Sequence, residues 1–180
     1  MTTRKRKRRI GLDTQCLSYL LDAIAGIEEP WDALAEERKA LIRIWFYCEH
    51  GFYLSETVVT ECAAIRHLPR RDFHSKFIQT LFLDVRIQHR QIVEARTLEL
   101  LSFHAKRKDC QVLAEAEDLA LDSLLTYDRQ FLQRLGPRSH AVTLTSPCDY
   151  WSSLDIPRGT PPKTVPHQTN PLSQQSWWRW

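Results

Sequence analysis

The sequence predicts an α/β protein, a three-layer α/β/α sandwich built around a mainly parallel central sheet. Short apolar runs, each long enough for one strand, alternate along the chain with longer segments of helical periodicity. The apolar runs are nearly continuous, which is typical of strands that are buried on both faces of a parallel sheet. A chain of 180 residues can enclose one such core and is too short for two of ordinary size.

The amino-terminal half predicts two strands and three helices. The segment RIGLD predicts the first strand, and apolar residues spaced three and four apart predict the helix that follows it. FYLS predicts the second strand, and ETVVTECAAIRH, with a glutamate in its first turn, predicts another helix. The other predicted boundaries are a first helix from Thr14 to Gly26, a turn at Pro30, and an amphipathic helix from Trp31 to Gly51.

The carboxyl-terminal half continues the alternation. One helical pattern follows Pro69 and a second covers residues 91–106. The segment LDVRI between these two helices predicts a third strand. KDCQVLAEAEDLA is rich in Ala, Leu and Glu and predicts a helix with Asp109 as its N-cap. DSLLTYD predicts the fourth strand and RQFLQRL a short helix, after which Gly136-Pro137 predicts a turn and HAVTLTS the last strand.

Composition divides the chain into three regions. Residues 1–8 form a basic arm, residues 9–155 a single α/β domain, and residues 156–180 a flexible tail that is rich in proline and tryptophan, with little capacity to bury a core. The first nine and the last 24 residues hold nine basic residues and no acid, so residues 10–156 carry 16 basic and 22 acidic residues and a net charge of −6. The basic run RKRKRR at 4–9 suits contact with nucleic acid. The aromatic tail segment SQQSWWRW could stack on bases, could dock in an apolar groove of a partner, or could be disordered.

Cysteine spacing and hydropathy indicate a soluble protein of the cytoplasm. The five cysteines lie far apart without a CxxC pair, which disfavours both a disulfide scaffold and a zinc site and predicts reduced thiols. No apolar stretch reaches the roughly 18 residues that a membrane-spanning helix needs, so no membrane partner is expected. The basic amino terminus is not followed by an apolar segment, and no signal peptide is predicted.

Four acids occupy positions that the predicted topology brings together. Asp13 ends the first strand and Asp128 ends the fourth, so both project from the carboxyl edge of the sheet, where ligands bind in open α/β folds. Asp109 opens the helix that leads into the fourth strand, and Glu61 lies one turn into the helix after the second strand. We therefore expect all four carboxylates in one pocket.

Clustered carboxylates favour a metal site. Like charges in close proximity raise one another's pKa, and a hard divalent cation with oxygen ligands relieves that repulsion. Mg²⁺ or Mn²⁺ suits such ligands better than zinc does. Each acid also has a structural alternative: the three aspartates could be helix N-caps, worth about 0.5–2 kcal/mol each, and Glu61 could lie on a solvated helix face.

The same residues resemble a known family. They are the Asp-Thr pair at 13–14, Glu61 within SETVVTEC, Asp109 within KDCQVLAEAE, and LLTYDRQF at 124–131. They resemble the PIN-domain family, whose small members include the VapC-like ribonuclease toxins of toxin–antitoxin pairs. The resemblance covers about residues 8–150, and its most specific part is the block from Asp109 to Phe131.

The resemblance implies a metal-dependent endoribonuclease. Asp13, Glu61, Asp109 and Asp128 would be the metal-binding and catalytic acids, and Thr126 the catalytic hydroxyl residue that accompanies the last acid. The implied cofactor is Mg²⁺ or Mn²⁺, and the implied substrate is single-stranded or exposed RNA, cut to leave 5′-phosphate and 3′-hydroxyl ends. The implied protein partners are a cognate antitoxin and a second copy of the chain in a homodimer.

Two positions depart from the family pattern, and two other functions compete with the nuclease. Gln15 stands where relatives often have Asn or Ser, and Gln130 where many have an acid.

A non-catalytic PIN-like module would bind RNA or a protein through its basic ends without turnover. A phosphohydrolase for small phosphoesters is disfavoured because Gln15 replaces the second acid of a DxD motif.

Several other polar residues predict ordinary roles. Glu115 lies about 120° from Asp109 around their helix, so it is predicted to lie outside the pocket as a surface charge. The seven histidines form no HxxxH or HExxH motif, which favours surface or packing roles. The basic groups are RHLPRR at 66–71 and KRK at 106–108, and the second abuts Asp109 and so is expected beside the acids. They could hold phosphates, form a solvated face or offset nearby acids.

Overall fold

The computed structural model describes residues 7–25, 28–49, 51–84 and 86–180. It confirms the α/β class: five strands form one sheet in the order β3-β2-β1-β4-β5, every neighbouring pair is parallel, and the helices complete a three-layer sandwich. The strands are β1 (Arg9–Leu12), β2 (Gly51–Leu54), β3 (Leu83–Asp84), β4 (Ser123–Leu125) and β5 (Thr143–Thr145).

Eight α-helices are found in the described part of the chain. They are α1 (Thr14–Ile24), α2 (Ala35–Tyr47), α3 (Glu56–Ala63), α4 (Leu68–Leu81), α5 (Arg90–Leu101), α6 (Arg107–Asp118), α7 (Arg129–Leu135) and α8 (Pro147–Ser152). Helix α8 is absent from the prediction, although Ser146 caps it and proline stands in its first turn. The predicted stop at Gly26 lies outside the described residues.

Two predicted boundaries near the acids are wrong. Helix α6 begins at Arg107 with Lys106 as its N-cap residue, so Asp109 lies in the first turn and does not cap the helix. Strand β4 ends at Leu125, three residues before Asp128, and Asp128 is the N-cap residue of α7. In both cases the error is a few residues, which is usual at the ends of elements.

The strand order places the carboxyl ends of β1 and β4 side by side at the centre of the sheet. The chain runs outward from β1 through β2 to β3 and then crosses over to β4 and β5. Leu12 pairs with Leu125, and the amide of Asp13 donates to the carbonyl of Leu125 at 3.0 Å. This reversal of strand order is where an open parallel sheet forms a crevice for ligands.

The core is made of apolar side chains from the sheet and from the helices that cover it. Its fully buried members include Ile10 and Leu12 on β1, Leu124 and Leu125 on β4, and Leu17, Leu20, Leu41, Ile42, Ile44 and Leu113 on helices. These strand residues are consecutive or nearly so, which confirms the pattern expected of strands buried on both faces.

The tail at residues 156–180 packs against this core, so the prediction that it has little capacity to bury one is wrong. Leu172 and Trp178 are fully buried. The Trp178 ring lies 4.7 Å from the ring of Phe46, and its indole nitrogen donates to the carbonyl of Leu172 at 2.9 Å. An indole buries a large apolar area, so Trp178 together with Leu172 offsets the polar composition of the tail. Trp178 is therefore not available to stack on bases.

Two further expectations concern the rest of the chain. All five cysteines are free, as predicted. Across the described ranges, no helix is both long enough and apolar enough to span a bilayer. Most of the basic arm, residues 1–6, lies outside the described residues.

Candidate functional site

A cavity of about 220 Å³ opens at the carboxyl ends of β1 and β4. All four predicted acids line it, so the structure brings together side chains that are up to 115 positions apart in the sequence. The lining residues are Asp13, Thr14, Gln15, Glu61, Lys106, Asp109, Val112, Asp128 and Phe131.

Asp13 is the most buried of the four acids. It caps α1, where its Oδ1 accepts a hydrogen bond from the amide of Cys16 at 2.6 Å, and its Oδ2 accepts one from the hydroxyl of Thr126. Burial raises the pKa of Asp13 from 3.8 to about 6, although both hydrogen bonds oppose the rise, while the charge of Asp109 adds to it. The charged form is therefore poorly solvated and would be stabilised by a nearby cation.

Thr126 connects Asp13 to Asp128. Its hydroxyl is fully buried, donates to Asp13 and accepts a hydrogen bond from the amide of Asp128 at 3.1 Å. This hydroxyl therefore orients the first acid directly and the last one through its backbone.

Asp128 combines a structural and an electrostatic role. Its Oδ1 caps α7 by accepting from the amides of Gln130 at 2.8 Å and Phe131 at 3.2 Å, while its Oδ2 lies 2.7 Å from Nζ of Lys106. Burial raises the pKa of Asp128, but the bonds from Lys106 and the two amides outweigh it and leave the pKa below its ordinary value. Asp128 is therefore ionised at neutral pH.

Glu61 reaches the cavity from α3. Its carboxylate accepts a hydrogen bond from the hydroxyl of Thr14 and forms an ion pair with Nζ of Lys108 at 2.6 Å. Thr14 is the residue after Asp13, so this hydrogen bond ties α3 to the end of β1.

Asp109 reaches the cavity from the first turn of α6. Its Oδ2 lies 2.6 Å from Nε2 of His104 and 3.7 Å from Nζ of Lys106. His104 is almost fully buried, at 2% exposure.

Two lysines, called here the pocket lysines (Lys106 and Lys108), neutralise part of the acidic charge. Their side chains are 54% and 70% exposed, and they pair with Asp128 and Glu61 respectively. Both belong to the KRK group, which the sequence predicted beside the acids. In the other basic group, Arg70 pairs with Asp22 at 2.5 Å and so stabilises the contact between α1 and α4.

The donor set suits a hard cation, although the acids are paired within the protein. Four carboxylates supply only oxygen atoms, the ligands that Mg²⁺ and Mn²⁺ prefer. Within the described ranges, no three His, Cys, Asp or Glu side chains are arranged to hold a metal ion. The pocket lysines are long and mostly exposed, so they can turn towards solvent and release Asp128 and Glu61.

Glu115 shows where sequence reasoning was wrong. It is fully buried, and its carboxylate accepts hydrogen bonds from the amide of Thr57 at 3.0 Å, the hydroxyl of Thr57 at 2.7 Å and Nε2 of Gln111 at 3.0 Å. The predicted surface charge is instead an acceptor for the amino terminus of α3, the helix that carries Glu61. As expected from its angle on α6, it does not line the cavity.

The role of His104 was also missed by sequence reasoning, because only the fold brings its ring to Asp109.

No protein-family model matches this chain, and no curated protein matches it either. The chemistry of the cavity is therefore inferred from the residues that line it.

Proposed function

We propose that this chain is a metal-dependent endoribonuclease of the PIN type. The observation that carries the proposal is the convergence of Asp13, Glu61, Asp109 and Asp128 on one small polar cavity at the crevice of a parallel sheet. The family resemblance of these residues, which no family match supports, gives the reaction class.

The residues of the cavity divide into ligands and positioning groups. The four acids would hold Mg²⁺ or Mn²⁺, and such an ion supplies a water of lowered pKa and offsets charge on a phosphodiester. Thr126 holds Asp13 in place, and the buried Asp13 carboxylate raises the affinity for a cation because its own charge is poorly solvated.

The pocket lysines supply the contact with substrate. When Asp128 and Glu61 bind a cation, the lysine that pairs with each acid is released and can contact a phosphate. The same ammonium group therefore neutralises an acid before the RNA binds and a phosphate of the RNA backbone afterwards. Contacts to phosphate do not read sequence. We therefore propose single-stranded or exposed RNA as the substrate without a base preference from these two residues.

Cleavage of a single-stranded RNA tests the proposal. Wild-type protein with Mg²⁺ or Mn²⁺ is expected to cut it to products with 5′-phosphate ends, and chelation is expected to stop cleavage. Asp109→Asn and Asp128→Asn should abolish cleavage, whereas Asp72→Asn, which changes an acid 69% exposed on α4, should leave it unchanged. Cleavage that persists after chelation, or in Asp109→Asn or Asp128→Asn, contradicts the proposal.

A specific observation favours a second candidate, the non-catalytic binding module. Every acid of the cavity already has an internal partner: a threonine for Asp13, a histidine for Asp109 and a pocket lysine for each of the other two. A module of this kind would bind RNA equally well with and without divalent ions and would leave it intact. The toxin role, the antitoxin and the homodimer stay predictions of the resemblance.

A further inference from the structure

His104 lies in the connection between α5 and α6, next to the candidate metal site. Its backbone is fixed at both ends, because its amide donates to the carbonyl of Leu100 at 3.1 Å and its carbonyl accepts from the thiol of Cys110 at 3.2 Å. Its ring lies parallel to the ring of Phe131, with 9° between the planes and 6.3 Å between the centroids. The side chain is therefore held in one orientation by packing.

The contact with Asp109 defines which ring nitrogen carries a proton. Nε2 lies 2.6 Å from a carboxylate oxygen, so it acts as a donor. Nδ1 is buried, and it has no hydrogen-bond partner within the part of the chain that the structure describes. Among the described residues, the ring therefore makes its one polar contact through Nε2.

The geometry leaves one oxygen of Asp109 free. His104 and Lys106 both approach Oδ2, and no hydrogen bond to Oδ1 is found among the described residues. The His104 ring, which is packed against Phe131 and bonded to Oδ2, therefore restrains this oxygen of Asp109 and leaves Oδ1 available to another ligand.

We propose that His104 is a positioning residue, which holds Asp109 through Nε2–H so that Oδ1 is directed to a divalent cation. The inference rests on the proposed function, because Asp109 is one of the four ligands assigned there. Groups that orient ligands in this way typically contribute about 10–100-fold to metal affinity or activity. A histidine that served only packing would contribute to stability alone.

Two substitutions separate the hydrogen bond from the packing. His104→Phe keeps a ring against Phe131 and removes the donor, whereas His104→Gln keeps an N–H donor at about the reach of Nε2 and removes the ring. We expect His104→Phe to weaken Mn²⁺ binding, measured by isothermal titration calorimetry, by about 10–100-fold. We expect His104→Gln to restore most of the affinity even if its melting temperature is lower.

His74→Phe is the matched control. His74 is buried like His104, and its Nε2 also pairs with a carboxylate, that of Asp22 at 3.0 Å, but it does not line the cavity. This variant should lower the melting temperature and leave Mn²⁺ affinity unchanged.

The outcomes distinguish this inference from the proposed function. A wild-type protein without measurable Mn²⁺ affinity overturns both. Wild-type binding that His104→Phe leaves intact overturns only the role of His104. If His104→Phe does not fold, His104→Gln and His104→Asn decide, because the shorter amide of Asn cannot reach Oδ2; equal Mn²⁺ affinity of these two variants overturns the inference.

Discussion

Replacing Asp13 with Asn should stabilise the metal-free protein at neutral pH while removing its function. Asn keeps one acceptor oxygen, which can cap α1 by accepting from the amide of Cys16, and its Nδ2 can donate to the hydroxyl of Thr126 at the place where Asp13 accepts from it, so the capping role is retained. What disappears is a charge that burial makes unfavourable.

The magnitude follows from the pKa of Asp13. Its value in the folded chain is about 6 against an ordinary 3.8, and each pKa unit corresponds to about 1.4 kcal/mol. Between these two values the folded state retains a proton that the unfolded state has released, so the stability of the wild type falls as pH rises through this window. Ionisation of Asp13 therefore costs about 3 kcal/mol above pH 6, and Asp13→Asn escapes that cost.

Urea unfolding in the presence of a chelator measures the effect. The difference in unfolding free energy between Asp13→Asn and wild type should be small at pH 4 and rise to about 3 kcal/mol in favour of the variant at pH 7. Adding Mn²⁺ should then stabilise the wild type more than the variant, because only the wild type retains all four acids. A difference in unfolding free energy that stays constant from pH 4 to pH 7 would refute the conclusion that burial makes the ionised form of Asp13 unfavourable.

Three other predictions concern stability and binding. Glu115→Ala leaves the amide of Thr57 without its acceptor and should lower the unfolding free energy by about 1–3 kcal/mol; unchanged urea unfolding would contradict that role. Trp178→Ala should cost about 3–5 kcal/mol in the same assay, whereas Trp31→Ala, at a residue 89% exposed, should change little; equal effects would show that the tail does not contribute to the core. Replacing both pocket lysines with Gln should weaken RNA binding and reduce the slope of log affinity against log salt by about 1.4, and a slope equal to that of the wild type would exclude them as phosphate contacts.

The fold class and the meeting of the acids were predictable because both depend on local patterns. Continuous apolar runs between helices require a buried parallel sheet, and the carboxyl ends of parallel strands share one edge. Asp13 and Asp128 needed no further information to be placed together, and their capping roles proved compatible with lining the cavity, because each uses one oxygen for its helix.

The partners of these acids were decided by the tertiary structure. No periodicity indicates that His104 turns to Asp109, that Glu115 accepts from the first turn of α3, or that Trp178 is buried against Phe46. Each contact joins elements whose relative position follows from packing of the whole core, and a side chain at a surface-like position becomes buried when another element covers it. The sequence alone determined the sheet and the edge at which the acids lie, whereas the surroundings that set their charge and orientation exist only once the chain has folded.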